Sequence, residues 1–308
     1  MEYFYGPVPS RRLGFSLGVD LIPKKTCSFN CIYCQLGVVT QPKIKRVFYI
    51  DLAQFKQELK TILAKNPKID YITLSGSGEP TLHKDLAKII KAIKEISKYR
   101  YPVAVITNSS LLHRKKVRSQ LMEADLIIPS LDAPSAEIFK KINRPHPKVN
   151  FYKIKKGCVE LRREFKGKIW LEIMLLKGIN DSLEAAHKFR KIIKRIKPDK
   201  VQLNLPVRPS TEEVLVPDLK QMEKVKNIIG QEVEVVATFP KNKKSKQAGI
   251  KEEEILNYLR RRPATSDDLS ASLGINISEV LKYLAGLLEE KKIKVKIEKH
   301  NKHFLIND

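Results

Sequence analysis

The sequence is poor in cysteine, with four in 308 residues. That is too few for the disulfide framework that holds small secreted domains together. No apolar run approaches the roughly 18 residues that a bilayer crossing needs. The first residues, Met1-Glu2-Tyr3-Phe4-Tyr5-Gly6-Pro7, lack the basic flank and apolar stretch of a signal peptide, so a cytoplasmic location without membrane contact is expected. Histidine is scarce, and the first is His83. Acid is scarce too: 59 Lys and Arg stand against 34 Asp and Glu, a net charge of +25. Such an imbalance invites a polyanionic partner such as RNA. A Lys-rich surface of the kind found in thermophile proteins is the other reading. The charge is spread along the chain, which leaves both open.

What is present is a run of alternating strand-like and helix-like segments. Strand-like stretches fall at 17–22, 69–74, 103–106, 126–129, 169–176, 201–205 and 233–236, after an irregular N-terminus. Helical periodicity fits 51–65, 83–98, 113–123, 150–165, 182–196 and 218–230. Such alternation predicts an α/β fold with a parallel sheet and right-handed crossovers. About six units are too few for a closed eight-fold barrel. A partial (β/α)6 TIM-like barrel or an open sheet remains, and in either the site belongs at the C-terminal strand ends. This domain is expected to cover residues 1–240, followed by a Lys-rich linker at 241–249.

Beyond the linker the pattern changes. A helix over 252–261 is stopped by Pro263, and Ser266 is placed to cap a short helix ending at Gly274. An amphipathic helix over 278–290 and two β-like runs, 293–297 and 303–306, complete a winged helix-turn-helix over 250–308. Its third helix is the one such a module places in a major groove, yet that helix ends in Glu289 and Glu290. Protein docking is therefore the competing use, with the basic hairpin available for phosphates.

Three cysteines lie within eight residues, as Cys27-x3-Cys31-x2-Cys34. Three thiolates on one tight loop suit three corners of a cubane iron–sulfur cluster. Cys158 is far away in a helical stretch, where a free cysteine is ordinarily a buried hydrophobe. One iron would then lack a protein thiolate, and an open metal site is what chemistry requires. A structural zinc needs a fourth ligand, and no histidine is near.

The segment Cys27-Ser28-Phe29-Asn30-Cys31-Ile32-Tyr33-Cys34 resembles the signature of the radical SAM superfamily, with the aromatic Tyr33 directly before the third cysteine. The resemblance covers about residues 6–240. It implies a [4Fe-4S] cluster on Cys27, Cys31 and Cys34, and S-adenosylmethionine (SAM) chelating the open iron. Electron transfer from a donor such as ferredoxin or flavodoxin would then yield a 5′-deoxyadenosyl radical. Ser75-Gly76-Ser77-Gly78-Glu79-Pro80, after a strand-like run, resembles that family's glycine-rich SAM turn, with Glu79 as its acid. Ser77 stands where the pattern has glycine.

The resemblance also implies SAM contacts from strand-end residues Asn108, Ser130 and Asp132. Arg144 is suited to meet a carboxylate bidentately, and Asn204 ends a strand at the same mouth. For each of these, turn and cap chemistry is the alternative. Met174 is expected in the core. The element around Arg11 and Arg12 resembles the N-terminus of the wyosine-synthase-like subgroup, whose synthases carry three further cysteines for a second cluster; this chain lacks them. The leading expectation is a radical SAM oxidoreductase that modifies a macromolecule, with RNA or tRNA first. Modification or activation of a peptide or protein is the alternative. A cluster-bearing, redox-sensing DNA-binding regulator is a third reading, disfavoured because a sensor has no need of the Glu79 turn.

Overall fold

The computed structural model describes residues 2–230, 233–236, 252–298 and 301–307. Eight strands form one sheet in sequence order: β1 (Phe4–Ser10), β2 (Gly14–Val19), β3 (Tyr71–Leu74), β4 (Val103–Thr107), β5 (Leu126–Pro129), β6 (Lys168–Met174), β7 (Lys200–Asn204) and β8 (Val233–Val236). From β2 to β8 every pairing is parallel. Because the order never reverses, each crossover advances the sheet in the same direction, and the sheet curls instead of opening into a doubly wound layer. The result is a half-barrel. The expected partial barrel is present, with seven parallel strands.

Ile72, Leu74, Val103, Val105 and Ile127 are completely buried, as expected of strands covered on both faces. The outer layer is α1 (Leu52–Ala64), α2 (Leu86–Ile96), α3 (Lys115–Ser119), α4 (Ala136–Asn143), α5 (Phe151–Glu164), α6 (Leu183–Ile196) and α7 (Leu219–Ile229). The longer of these turn an apolar stripe inward, as Phe55, Leu59 and Ile62 do on α1. No helix among the described residues is long and apolar enough to cross a membrane.

Two elements differ from the sequence reading. The N-terminus is not irregular but forms β1, antiparallel to β2. Pro7 and Pro9 hide it, yet an edge strand tolerates missing N–H donors, and a register shift between Tyr5 and Val8 takes up the irregularity. Helix α4 was also unread, because only Phe139, Ile142 and Asn143 of its eight residues are buried.

The C-terminal part contains α8 (Glu252–Arg261), α9 (Ser266–Leu273), α10 (Ile277–Glu289) and the antiparallel pair β9 (Ile293–Glu298) and β10 (Asn301–Ile306). The cap of α9 is Thr265, not Ser266: Thr265 and Asp268 form a reciprocal capping box. Gly274 closes that helix at φ +70°. Residues 241–249, expected as a linker, lie outside the described residues. The C-terminal core of Ile255, Leu259, Val280, Leu284 and Phe304 includes Val8 of β1. The C-terminal elements therefore share a core with the edge of the half-barrel.

Candidate active site

A cavity of about 370 Å³ opens inside the half-barrel. Cys27, Cys31 and Cys34 all face it, on the loop after β2. That loop is pinned from several sides. The backbone N–H of Lys43 donates to the Cys27 carbonyl (2.7 Å), that of Ile32 to the Ile142 carbonyl (3.0 Å), and that of Thr211 to the Cys34 carbonyl (2.9 Å). The Asn108 amide donates to the Cys27 sulfur (3.3 Å) and the Asn143 amide to the Cys31 sulfur (3.4 Å). Burial, with the Glu79 charge adding to it, pushes the Cys27 thiol up to about 12. Burial likewise raises Cys31 and Cys34.

Three half-buried thiols facing one cavity, two of them receiving amide donors, fit a cluster whose irons offset the thiolate charge. Among the described residues no three His, Cys, Asp or Glu side chains converge on a single ion, and no histidine lines the cavity. Cys158, as expected, is a buried hydrophobe, 1 % exposed on α5.

The glycine-rich turn after β3 is built around an acid that the sequence reading missed. Asp20, just past β2, accepts from the Ser77 backbone (2.9 Å) and the Ser77 hydroxyl (2.5 Å). Ser77 is therefore not a passive departure from glycine, because its side chain locks the turn. Gly76 sits at φ +137°, and a Cβ there would meet the Asp20 carboxylate at 2.5 Å. A Cβ on Gly78 would stand 2.3 Å from the Thr26 carbonyl, in the bridge that joins the turn to the cysteine loop. Gly78→Ala is expected to cost about 1–3 kcal/mol of stability and to weaken SAM binding at least about tenfold. Thermal melting and equilibrium dialysis with labelled SAM check this.

Glu79 is 2 % exposed and works as a hub. Its Oε1 accepts from the Thr81 backbone (3.0 Å) and the Thr107 hydroxyl (2.6 Å), and its Oε2 from the Asn108 backbone (2.7 Å). The Thr81 hydroxyl also donates to it (2.5 Å). Burial raises its pKa, and these donors oppose the rise. Glu79 thereby ties the end of β3 to the end of β4 and holds Asn108 beside Cys27.

Gly76, Ser77, Gly78, Glu79, Tyr33, Asn108, Ser130 and Asn204 all line the cavity. Ser130 and Asn204 converge on Glu172 of β6, at 3.2 Å each. Glu172 was also unread, although an acid between Leu171 and Ile173 in a buried strand is itself a signal. Burial would lift its pKa, but the Arg12 guanidinium, paired directly with it, holds it below the usual carboxylate range.

Two expected SAM contacts do not reach the cavity. Asp132 is buried behind Tyr33, accepting from its hydroxyl (2.5 Å) and from the Asn143 amide (2.9 Å). Burial raises its pKa to about 6. Asp132 thus supports Tyr33 and Asn143, which themselves stand beside the cysteines. Arg144 closes α4 in the left-handed region at φ 41° and pairs with Glu212 on the exposed side. Met174 is half-buried and shows a face to the cavity, so it is not wholly a core residue.

The C-terminal elements complete the cavity wall. Arg261 and Arg262, at the end of α8, line it together with Arg11, Arg12 and Arg208. Arg261 pairs with Asp20 at 3.4 Å, so the glycine-rich turn and α8 share one acid. A second groove of about 170 Å³ shares Lys25, Cys34, Arg261 and Arg262 with the cavity and continues along Lys24, Arg260, Lys294 and Lys296. Among the described residues, no acidic side chain lines that groove.

A family profile described as the radical SAM superfamily matches residues 21–190. A "UPF0026 protein" of Helicobacter pylori (strain J99) is 32 % identical over 301 residues, covering 95 % of this chain and 94 % of that protein. A Brachyspira hyodysenteriae protein named "GTPase Obg" is 44 % identical over 297 residues, 95 % of this chain; the chain spans 43 % of that relative's length. Among solved structures, Streptococcus suis SuiB bound to precursor peptide SuiA is similar in fold. Its TM-score is 0.52 at 16 % identity, over 71 % of this chain and 48 % of that one. A radical SAM methyltransferase from Sphaerobacter thermophilus gives a TM-score of 0.51 at 16 % identity, over 71 % of this chain and 65 % of that one.

Proposed function

The chain belongs to the radical SAM superfamily, enzymes that use a [4Fe-4S] cluster and SAM, and from that premise we propose that it modifies RNA, with tRNA as the first candidate. When bound, cluster and SAM supply a 5′-deoxyadenosyl radical that abstracts a substrate hydrogen. In this reading Cys27, Cys31 and Cys34 hold the irons. The backbone of Gly76, Ser77 and Gly78 receives the methionyl end of SAM, on a turn fixed by Asp20 and Glu79. Tyr33, Asn108, Ser130 and Asn204 line the rest of its path.

The single observation that carries the RNA reading is the acid-free basic groove running from the cysteine loop to the C-terminal hairpin. Such a groove tracks a phosphate backbone, and a net charge of +25 favours the encounter. We read the C-terminal elements as a winged helix that presents this groove, with α8 and the hairpin as its active face. The domain division at about residue 240, a ferredoxin or flavodoxin donor and a cytoplasmic setting are parts of the same proposal.

The experiment compares nucleosides of bulk tRNA from wild-type and deletion strains by mass spectrometry. One modified nucleoside should vanish in the deletion and return when the reconstituted chain acts on that tRNA. An unchanged nucleoside profile, with a co-purifying polypeptide altered instead, would replace RNA by a peptide substrate, the class seen with SuiB.

A further inference from the structure

The glycine-rich turn is held from the C-terminal elements as well as from within the half-barrel. Arg261, the last residue of α8, has a side chain only 9 % exposed, and so has Asp20. The two pair at 3.4 Å. Asp20 in turn accepts from the Ser77 backbone and hydroxyl, so two contacts lead from α8 to the turn.

A second route runs beside the first. The Arg261 guanidinium lies over the Tyr5 ring of β1, 5.2 Å from its centroid. The Tyr5 hydroxyl shares a hydrogen bond of 3.0 Å with the Ser75 hydroxyl, at the start of the same turn. Gly18, paired with Tyr5 in the β1–β2 register, leaves room for that ring: a Cβ there would stand 2.0 Å from a ring carbon.

The guanidinium itself is fixed. Its Nη1 donates to the Asn257 carbonyl one helical turn back (2.9 Å) and its Nη2 to the Glu2 carbonyl (3.1 Å). A planar group held at both Nη atoms and against a ring keeps one orientation, which an exposed pair of flexible side chains does not. Removing one partner of such a buried pair leaves the other charge desolvated and uncompensated.

We propose that Arg261 is a positioning residue for the cofactor: through Asp20 and Tyr5 it fixes the 75–78 turn, so the C-terminal elements form part of the SAM site. This rests on the reading of that turn as the place where SAM binds. It goes further by giving α8 a part in cofactor binding besides substrate presentation. Such coupling is reciprocal: if α8 steadies the turn, SAM on the turn steadies α8.

The test uses the anaerobically reconstituted full chain as wild type, Arg261→Met, Asp20→Asn, the double variant, Gly78→Ala and Lys292→Gln. Lys292 pairs with Glu252 of α8 at 2.9 Å and lines neither the cavity nor the groove. Equilibrium dialysis gives SAM affinity, with iron content recorded for each. Hydrogen exchange across residues 252–261 is followed with and without SAM. Arg261→Met and Asp20→Asn should each bind SAM about threefold to thirtyfold more weakly, with iron unchanged. The double variant should lose less than the product of the two single effects, because both cut one route. SAM should slow exchange in α8 of wild type and not in Arg261→Met, and Lys292→Gln should match wild type in every readout.

Wild-type SAM affinity in Arg261→Met, or single effects that simply multiply in the double variant, overturns the positioning role. Should α8 of Arg261→Met be unprotected before SAM is added, wild type decides: α8 exchange that SAM leaves unchanged overturns the inference. Wild-type affinity in Gly78→Ala would instead remove the turn from the SAM site, and this inference with it.

Discussion

Alanine in place of Cys27, Cys31 or Cys34 is expected to reduce iron from about four per chain to below about one, and to abolish SAM cleavage. The argument is geometric. The three thiols occupy one loop, all face one cavity, and Cys158 is 1 % exposed on α5, too buried and remote to substitute. Each cysteine lost therefore removes a corner with no replacement. The fold itself should survive, because the loop is anchored by backbone bonds from Lys43, Ile32 and Thr211. Melting temperature of the metal-free variants should match the metal-free wild type, while the broad visible absorbance of the cluster is lost. An Asn143→Ala change, which removes only the donor to Cys31, should be milder: iron is retained but lost faster to chelator.

Glu79→Ala is expected to be the most damaging substitution outside the cysteines. Four donors end on this carboxylate, and two of them are backbone N–H groups that cannot turn elsewhere. Leaving buried donors unmet costs about 1–3 kcal/mol each. A loss of about 3 kcal/mol, or roughly 6–12 °C in melting temperature, follows for a domain of this size. Glu79→Gln separates folding from cofactor binding. Its amide oxygen can still serve Thr81 and Thr107, but its NH2 then opposes the Asn108 N–H. The glutamine variant should therefore keep its iron, lose less stability, and bind SAM at least about tenfold more weakly. Iron analysis, melting and equilibrium dialysis read the three quantities. A Glu79→Gln enzyme with wild-type SAM affinity would show that the hub has no part in the cofactor site.

What could be read in advance was what the chain carries contiguously. The cysteine loop and the 75–80 turn are each a few adjacent residues, and the apolar strands announce a parallel sheet by their composition. What could not be read depends on residues brought together from far apart. Asp20 supports Ser77 across 57 positions, Asn143 reaches Cys31 across 112, and Arg12 pairs with Glu172 across 160. Periodicity carries no record of such partners. Asp132 and Arg144 stand off the cavity wall for the same reason. A strand end or helix end places a polar residue near the mouth, but a neighbour such as Tyr33 or Glu212 decides where it points. The reading of α10 as the important C-terminal helix looked past α8, whose last residue, Arg261, faces the cavity together with the following Arg262. The shared core around Val8 and the Arg261–Asp20 pair reveal that docking.

One measurement bears most directly on whether a sulfonium cofactor is cleaved at this cavity. The full chain, reconstituted with iron and sulfide without oxygen and reduced with dithionite in the presence of SAM, is assayed for 5′-deoxyadenosine and methionine. Both should accumulate together, in equal amounts, and in none of the cysteine variants. A chain that holds an intact cluster yet releases neither product, or one whose three thiols prove to share a single zinc ion, would contradict the account.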